Sequence, residues 1–117
     1  MQMTGQKVIS SDKQLTVIVR VEPGSLGPDG LNYVEDFCRF ANLNMSTSAE
    51  SYSRWQIIPR YDKTLPEMEY YVTHKKLNNL QVEKYLTLFE NDTDSFEEEF
   101  YCKLTTLIET YFARENV

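Results

Sequence analysis

The chain has 117 residues, 41% of them hydrophobic and 26% charged, a balance that fits one globular domain and excludes a two-domain protein or a disordered chain. No apolar run approaches the ~20 residues a bilayer crossing needs, and the polar opening Met1-Gln2-Met3-Thr4-Gly5-Gln6-Lys7 lacks the apolar stretch of a secretory signal, so a soluble cytoplasmic protein is expected. The net charge of −6 argues against a nucleic-acid coat protein, and the two cysteines, Cys38 and Cys102, are too few for a disulfide framework and lack paired zinc spacing.

Residues 1 to 13 carry little pattern beyond Val8-Ile9 and are expected as a tail or a short edge strand. Residues 15 to 22 alternate, with Leu15, Val17, Val19 and Val21 on one face, and their β-branched content predicts a strand. The loop over residues 23 to 30, with Gly24, Gly27, Pro28 and Gly30, stops it, and Gly27-Pro28 starts a helix in which Leu31, Val34, Phe37, Cys38 and Ala41 share one face. Residues 42 to 53 read as a mobile connection into the short strand Trp55-Gln56-Ile57-Ile58, closed by Pro59. After a nine-residue arm over residues 59 to 67, Met68, Tyr70, Val72 and His74 alternate with Glu69, Tyr71, Thr73 and Lys75. These two strands are expected to pair as a long-armed antiparallel hairpin.

Asn78 with Gln81 three residues on forms a capping box for a helix that turns Val82, Tyr85, Leu86 and Phe89 inward. Ser95 with Glu98 predicts a second box, opening the longest helix, in which Phe96, Phe100, Leu104, Leu107, Ile108 and Tyr111 follow helical spacing. The order is β-α-β-β-α-α. It predicts an α+β fold with a three- or four-stranded antiparallel or mixed sheet and helices packed on one face. The order is ferredoxin-like without the last strand, a comparison of element order alone. Residues 14 to 113 are expected to form the domain and residues 114 to 117 a C-terminal tail.

No catalytic pattern emerges. The glycines at 24, 27 and 30 do not match a dinucleotide or Walker loop, Pro28 removes an N–H donor and Asp29 places a negative charge where phosphate would sit, so the loop is read as backbone punctuation. One histidine, His74, excludes a multi-histidine metal site, and its strand parity predicts a half-buried end of an apolar face. Cys38 and Cys102 both fall mid-helix, in settings that do not favour a thiolate. Asp92-Thr93-Asp94 opens like a calcium loop, but Glu97 stands where glycine is required and Lys103 where the closing glutamate belongs. No cofactor or metal is expected.

The remaining features are surface ones. Residues 1 to 76 balance nine Lys/Arg against nine Asp/Glu, whereas residues 77 to 117 hold three against nine. Arg54, Trp55, Arg60, Tyr61, Lys63, Tyr71 and Lys75 interleave cations with aromatic rings around the predicted hairpin, a composition that grips protein partners and also stacks bases. Asp92, Asp94, Glu97 and Glu98 form an acidic pole at a helix start, where carboxylates suit the helix dipole. The expectation is a small, acidic, non-catalytic protein-interaction protein, homodimeric in one version, with its contact on the hairpin face or a strand edge. Two alternatives are an acidic inhibitor or immunity-type protein that neutralises a basic enzyme, and a single-stranded RNA-binding module using the hairpin. Nucleic acid is the less favoured partner, and no membrane contact is expected.

Overall fold

The computed structural model describes residues 13 to 45 and 52 to 115. The expected N-terminal tail or edge strand lies, apart from Lys13, outside the described residues. Strand β1 (Leu15–Val21) is followed by a 3-10 turn (Pro23–Leu26) and helix α1 (Gly30–Met45). Strands β2 (Ser53–Pro59), β3 (Met68–Val72) and β4 (Lys75–Lys76) come next, then helices α2 (Asn79–Thr87) and α3 (Thr93–Glu115). The fold is α+β, a mixed four-stranded sheet in the order β2-β1-β3-β4 with the helices on one face.

The expected pairing of β2 with β3 does not occur, because β1 lies between them. β1 runs parallel to β2, with Val17 opposite Trp55 and Val19 opposite Ile57, and antiparallel to β3, with Val17 opposite Tyr70 and Val19 opposite Met68. The arm supplies the reason. A two- to five-residue loop would fold β3 back onto β2, whereas residues 60 to 67 are long enough to step across two strand spacings, roughly 10 Å. Both ends of the arm are tied to β1: Arg60 N–H donates to Val21 O at 2.9 Å and Arg20 N–H to Glu67 O at 2.8 Å. The parallel β1–β2 pair needs a crossover helix, and α1 is that helix.

The alternation of β1 places Leu15, Val17, Val19 and Val21 in the core, each no more than 3% exposed. Helix α1 contributes Val34, Phe37, Cys38, Ala41 and Met45 to the same layer, and α3 closes it with Phe96, Phe100 and Tyr111. Aromatic rings do much of this packing. Trp55 stacks on Phe100 at 4.6 Å and on Phe96 at 5.2 Å, Phe37 meets Tyr111 edge-on at 5.5 Å, and Tyr52 stacks on Phe89 at 4.1 Å. Such pairs add about 0.5 to 1.5 kcal/mol each beyond area burial. The Tyr85 hydroxyl of α2 donates to Lys13 O at 2.9 Å and Tyr52 O at 3.3 Å, fixing the starts of β1 and β2 together.

Element boundaries depart from expectation in several places: α1 starts at Gly30 and not at Pro28, and α3 runs to Glu115, past the residue-113 boundary and into the expected tail, of which residues 116 and 117 lie outside the described residues. Helix α1 continues through Asn42 to Met45 because the Asn42 amide bonds sideways to β2, donating to Ile57 O at 2.9 Å and accepting from Ile57 N–H at 2.8 Å. Helix α3 begins at Thr93 and not at the Ser95-Glu98 box, because Asp92 supplies the cap, its Oδ1 accepting from Ser95 N–H at 2.8 Å. Glu97, Glu98 and Glu99 therefore sit past the first turn. His74 is exposed in a turn, not half-buried on a strand, since Thr73 and His74 both take positive φ (52° and 66°) to reverse the chain into β4. The Asn78–Gln81 capping box is present in both directions.

Two glycines of the loop have distinct structural reasons. Gly27 has φ of 100°, and Gly30 packs so tightly under the 3-10 turn that a Cβ would lie 1.7 Å from Pro23 O, while a Cβ on Gly24 would meet nothing within 4 Å. Gly30→Ala is therefore expected to lower unfolding free energy by about 1 to 3 kcal/mol or more through backbone displacement, and Gly24→Ala to stay within about 0.5 kcal/mol of wild type. Thermal and urea melts of the two variants check this contrast.

Candidate functional site

The parity that buries Leu15, Val17, Val19 and Val21 sends Thr16, Ile18 and Arg20 to the opposite face of the sheet. Register then assembles that face row by row. Thr16 stands between Arg54 of β2 and Tyr71 of β3, with Lys76 of β4 beyond Tyr71, and Ile18 stands between Gln56 and Glu69. Among the described residues no element covers this face. Because Thr16 is short and its two neighbours are long, their side chains, set about 10 Å apart by the strand spacing, become walls. The result is an open hollow of about 450 Å³ with Thr16, Ile18 and Gln56 on its floor and Arg54, Tyr71 and His74 around it.

The Thr73–His74 turn forms one rim. Two-residue hairpins favour Asn-Gly because both positions need positive φ, and a β-branched threonine there is strained.

Of the strand residues directed to this face, Arg20, Arg54 and Lys76 are cationic and Glu69 alone is anionic. Glu69 is covered by two of those cations, with Arg20 Nη2 and Lys76 Nζ each 2.9 Å from its carboxylate. The Lys76 ammonium, and the Arg20 guanidinium after it, hold the Glu69 carboxyl below its ordinary range, while Glu69 raises Lys76. Arg20 also donates to Pro66 O at 2.9 Å. Arg54 differs: among the described residues its guanidinium has no hydrogen bond or ion pair, and the Tyr71 hydroxyl makes no hydrogen bond, though it lies within electrostatic reach of Lys76.

The other members of the expected aromatic and cationic patch lie elsewhere. Trp55 faces the helices and is packed on Phe96 and Phe100, because β2 parity pairs it with Ile57 and not with Arg54. Arg60 and Lys63 sit at the carboxyl ends of β1 and β2, where Glu22 Oε2 accepts from Arg60 Nη1 at 2.7 Å and Glu22 Oε1 lies 3.7 Å from Lys63 Nζ. Arg60 also donates to Leu65 O and Lys63 O, so it fastens the arm. Tyr61 donates to Glu35 at 2.8 Å. Lys75 is opposite Val72 and so belongs to the helix side of β4. Only Arg54 and Tyr71 reach the uncovered face. Sequence reading missed Thr16, Gln56 and Glu69, and the signal that finds them is the off-core parity of β1 carried across the register.

The acidic pole is partly consumed by the fold. Asp92 caps α3, and Glu97 accepts the Tyr70 hydroxyl at 2.5 Å; burial, and the Glu97 hydrogen bond after it, raise Tyr70 far above the ordinary phenol range. Asp94 and Glu98 stay exposed, and Glu98 borders a shallow hollow with Phe89, Asn91 and Cys102. Among the described residues no group of three or more His, Cys, Asp or Glu is placed to hold a metal ion, and no helix is long and apolar enough to cross a membrane. Comparison with protein-family models, curated proteins and solved structures yields no match.

Burial pushes the Cys38 thiol up to about 12, with the Glu35 charge adding to it, so at neutral pH this sulfur is a protonated, shielded thiol. Cys102 is exposed. Iodoacetamide at pH 7.5 is expected to alkylate Cys102 in the native chain and Cys38 only on unfolding, as read by mass spectrometry of native and urea-treated protein. The Glu69 cluster gives a pH signature of definite sign. A carboxyl held below its ordinary value of 4.5 contributes stability that is complete above that value and is lost as pH falls through the lowered one. Urea melts across this acid range should show a steeper loss for wild type than for Glu69→Gln.

Proposed function

We propose that this protein is a non-catalytic interaction module that holds a partner protein on the uncovered face of its sheet. The observation that carries the reading is the pair Arg54 and Tyr71, neither side chain hydrogen-bonded among the described residues, on either side of Thr16 on a face that no described element covers. Arginine and tyrosine are the residue types most often found as interface anchors, and a shelf of isoleucine, threonine and glutamine around them supplies apolar contact and hydrogen bonding. Of the groups that could act as nucleophile or base, Cys38 is shielded, Cys102 is exposed, and His74 has no hydrogen-bonding partner among the described residues.

The partner is a foreign chain in this reading. A two-fold dimer through the face would press three cations and one carboxylate onto an identical set, a net like-charge contact. The sheet edges resist self-pairing too. Asn42 occupies the Ile57 groups on the β2 edge, Pro59 has no N–H to offer there, and β4 is two lysines long. Single-stranded RNA is disfavoured at this face, which presents one ring, Tyr71, on a chain of net charge −6, where base-stacking sheets use two or three rings.

Arg54→Glu and Tyr71→Ala are expected to keep the wild-type thermal midpoint, because both side chains project from the sheet, and to lose the same co-purifying protein. Lys63→Glu and Glu98→Lys, both off this face, should retain it. Quantitative affinity purification with sedimentation equilibrium on each variant is the test, and partner retention insensitive to Arg54 and Tyr71 would sink the reading.

A further inference from the structure

Resting on that reading, we infer that the partner presents an acidic segment, one Asp or Glu carboxylate of which takes the Arg54 guanidinium while an adjoining apolar side chain lies on Ile18 against the Tyr71 ring.

Charge is the first argument. The strand residues of the uncovered face sum to +2, three cations against Glu69, with the Asp62 carboxylate of the arm within reach of Arg20, on a chain whose total is −6. An acidic segment is attracted to this side and repelled by the others, and that asymmetry fixes orientation and speeds encounter.

The face also displays the same chemistry already satisfied once. Glu69 is held by Arg20 and Lys76 at 2.9 Å each, so one carboxylate meets the needs of two of the three cations. Arg54, two strands away in the β2 position of the next row, is the cation left over. A guanidinium presents a planar fork that matches a carboxylate through two parallel hydrogen bonds, and phosphate recognition in proteins usually gathers several arginines where this face leaves one free.

Shape gives the third argument. The hollow of about 450 Å³ is open to solvent, too small for a folded domain but sized for the side chains of a single segment. Its lining includes Thr16, Ile18 and Gln56, so an apolar group has Ile18 to cover, and Gln56, one row on from Arg54 along β2, offers an amide. The Thr73–His74 turn bounds the hollow with two consecutive positive-φ residues, neither of them glycine, in a position where a two-residue Asn-Gly turn would be relaxed. Strain of this kind, of order 1 to 3 kcal/mol per residue, concentrates at binding surfaces.

The test is selection of displayed random peptides on immobilised wild-type chain and on Arg54→Glu, followed by fluorescence anisotropy with the selected peptides. Wild-type selections should be enriched in Asp or Glu next to an apolar residue, and replacing that acid by its amide should weaken binding about tenfold to a hundredfold. Arg54→Lys should lose most of the affinity, since it keeps the charge but not the fork, and Arg54→Glu should select Lys- and Arg-bearing peptides instead. Peptides whose binding depends on Tyr71 but that carry no acid would overturn this inference and leave the docking reading standing. Peptides indifferent to both Arg54→Glu and Tyr71→Ala would remove both. Oligouridine that binds in a Tyr71-dependent, salt-sensitive way while acidic peptides do not would assign the face to single-stranded RNA and overturn the inference.

Discussion

The architecture depends on β1 being hydrogen-bonded along both edges. All seven residues of Leu15–Val21 pair in parallel with β2 on one side, and four of them, Thr16 to Val19, pair antiparallel with β3 on the other, so no other strand in the sheet has more than one long partner. Parallel pairing forces the chain through α1 before β2 can form, and antiparallel pairing forces the arm over residues 60 to 67 to cross the end of β1 before β3 can form. The contacts Arg60 N–H to Val21 O and Arg20 N–H to Glu67 O are where those two demands meet. The glycine loop follows from the same geometry. With β1 ending beneath a 3-10 turn and α1 starting at once, Gly30 must pass where a side chain would strike Pro23 O, and Gly27 must take a φ that only glycine holds cheaply.

The acidic excess has a structural use that net charge conceals. Three tyrosine hydroxyls each donate to a carboxylate on another element: Tyr70 to Glu97, Tyr61 to Glu35 and Tyr111 to Asp36. The last is half-covered beneath Phe37 and Phe40, and Tyr111, ahead of Arg39, holds Asp36 below the usual carboxylate range. Tyrosine suits this role because its ring fills apolar space while its hydroxyl reaches a charge at the rim. The aromatic content, high for a chain of this length, is thus mostly architectural, which leaves Tyr71 as the ring on the uncovered sheet face.

Most of the fold was legible because its elements announce themselves locally. Alternation in β1, the apolar spacing of α1 and α3 and the Asn78–Gln81 box are properties of adjacent residues, and each stands in the structure. Strand neighbours were not legible in this way. That β2 and β3 are separated by β1 follows from an arm too long for a hairpin, a signal visible in the sequence but read as a decoration of the hairpin. The candidate site suffered more, because a face is a sum over three strands. Arg54 and Tyr71 come together only once β1 is known to lie between them, and Trp55 leaves the set for the same reason, since parity that points Arg54 outward points its neighbour into the core. His74 shows a different limit. Alternation through Val72 predicts it inward, but two positive-φ residues end the strand there, and nothing in Thr73-His74 has the composition of such a turn.

A sheet with one bare face has three routes to unwanted association: its two edges and the face itself. Each is obstructed by a different device. On the β2 edge, the Asn42 side chain imitates the hydrogen bonding of a missing strand at Ile57, and Pro59 withholds a donor. The opposite edge is cut to two residues, both lysine. On the face no described element covers, the device is electrostatic: its strand residues carry three cations against Glu69. Electrostatic exclusion differs from the other two in being selective. Blocking an edge with an amide or a proline excludes every partner alike, whereas a charge of one sign excludes only its like and attracts its opposite.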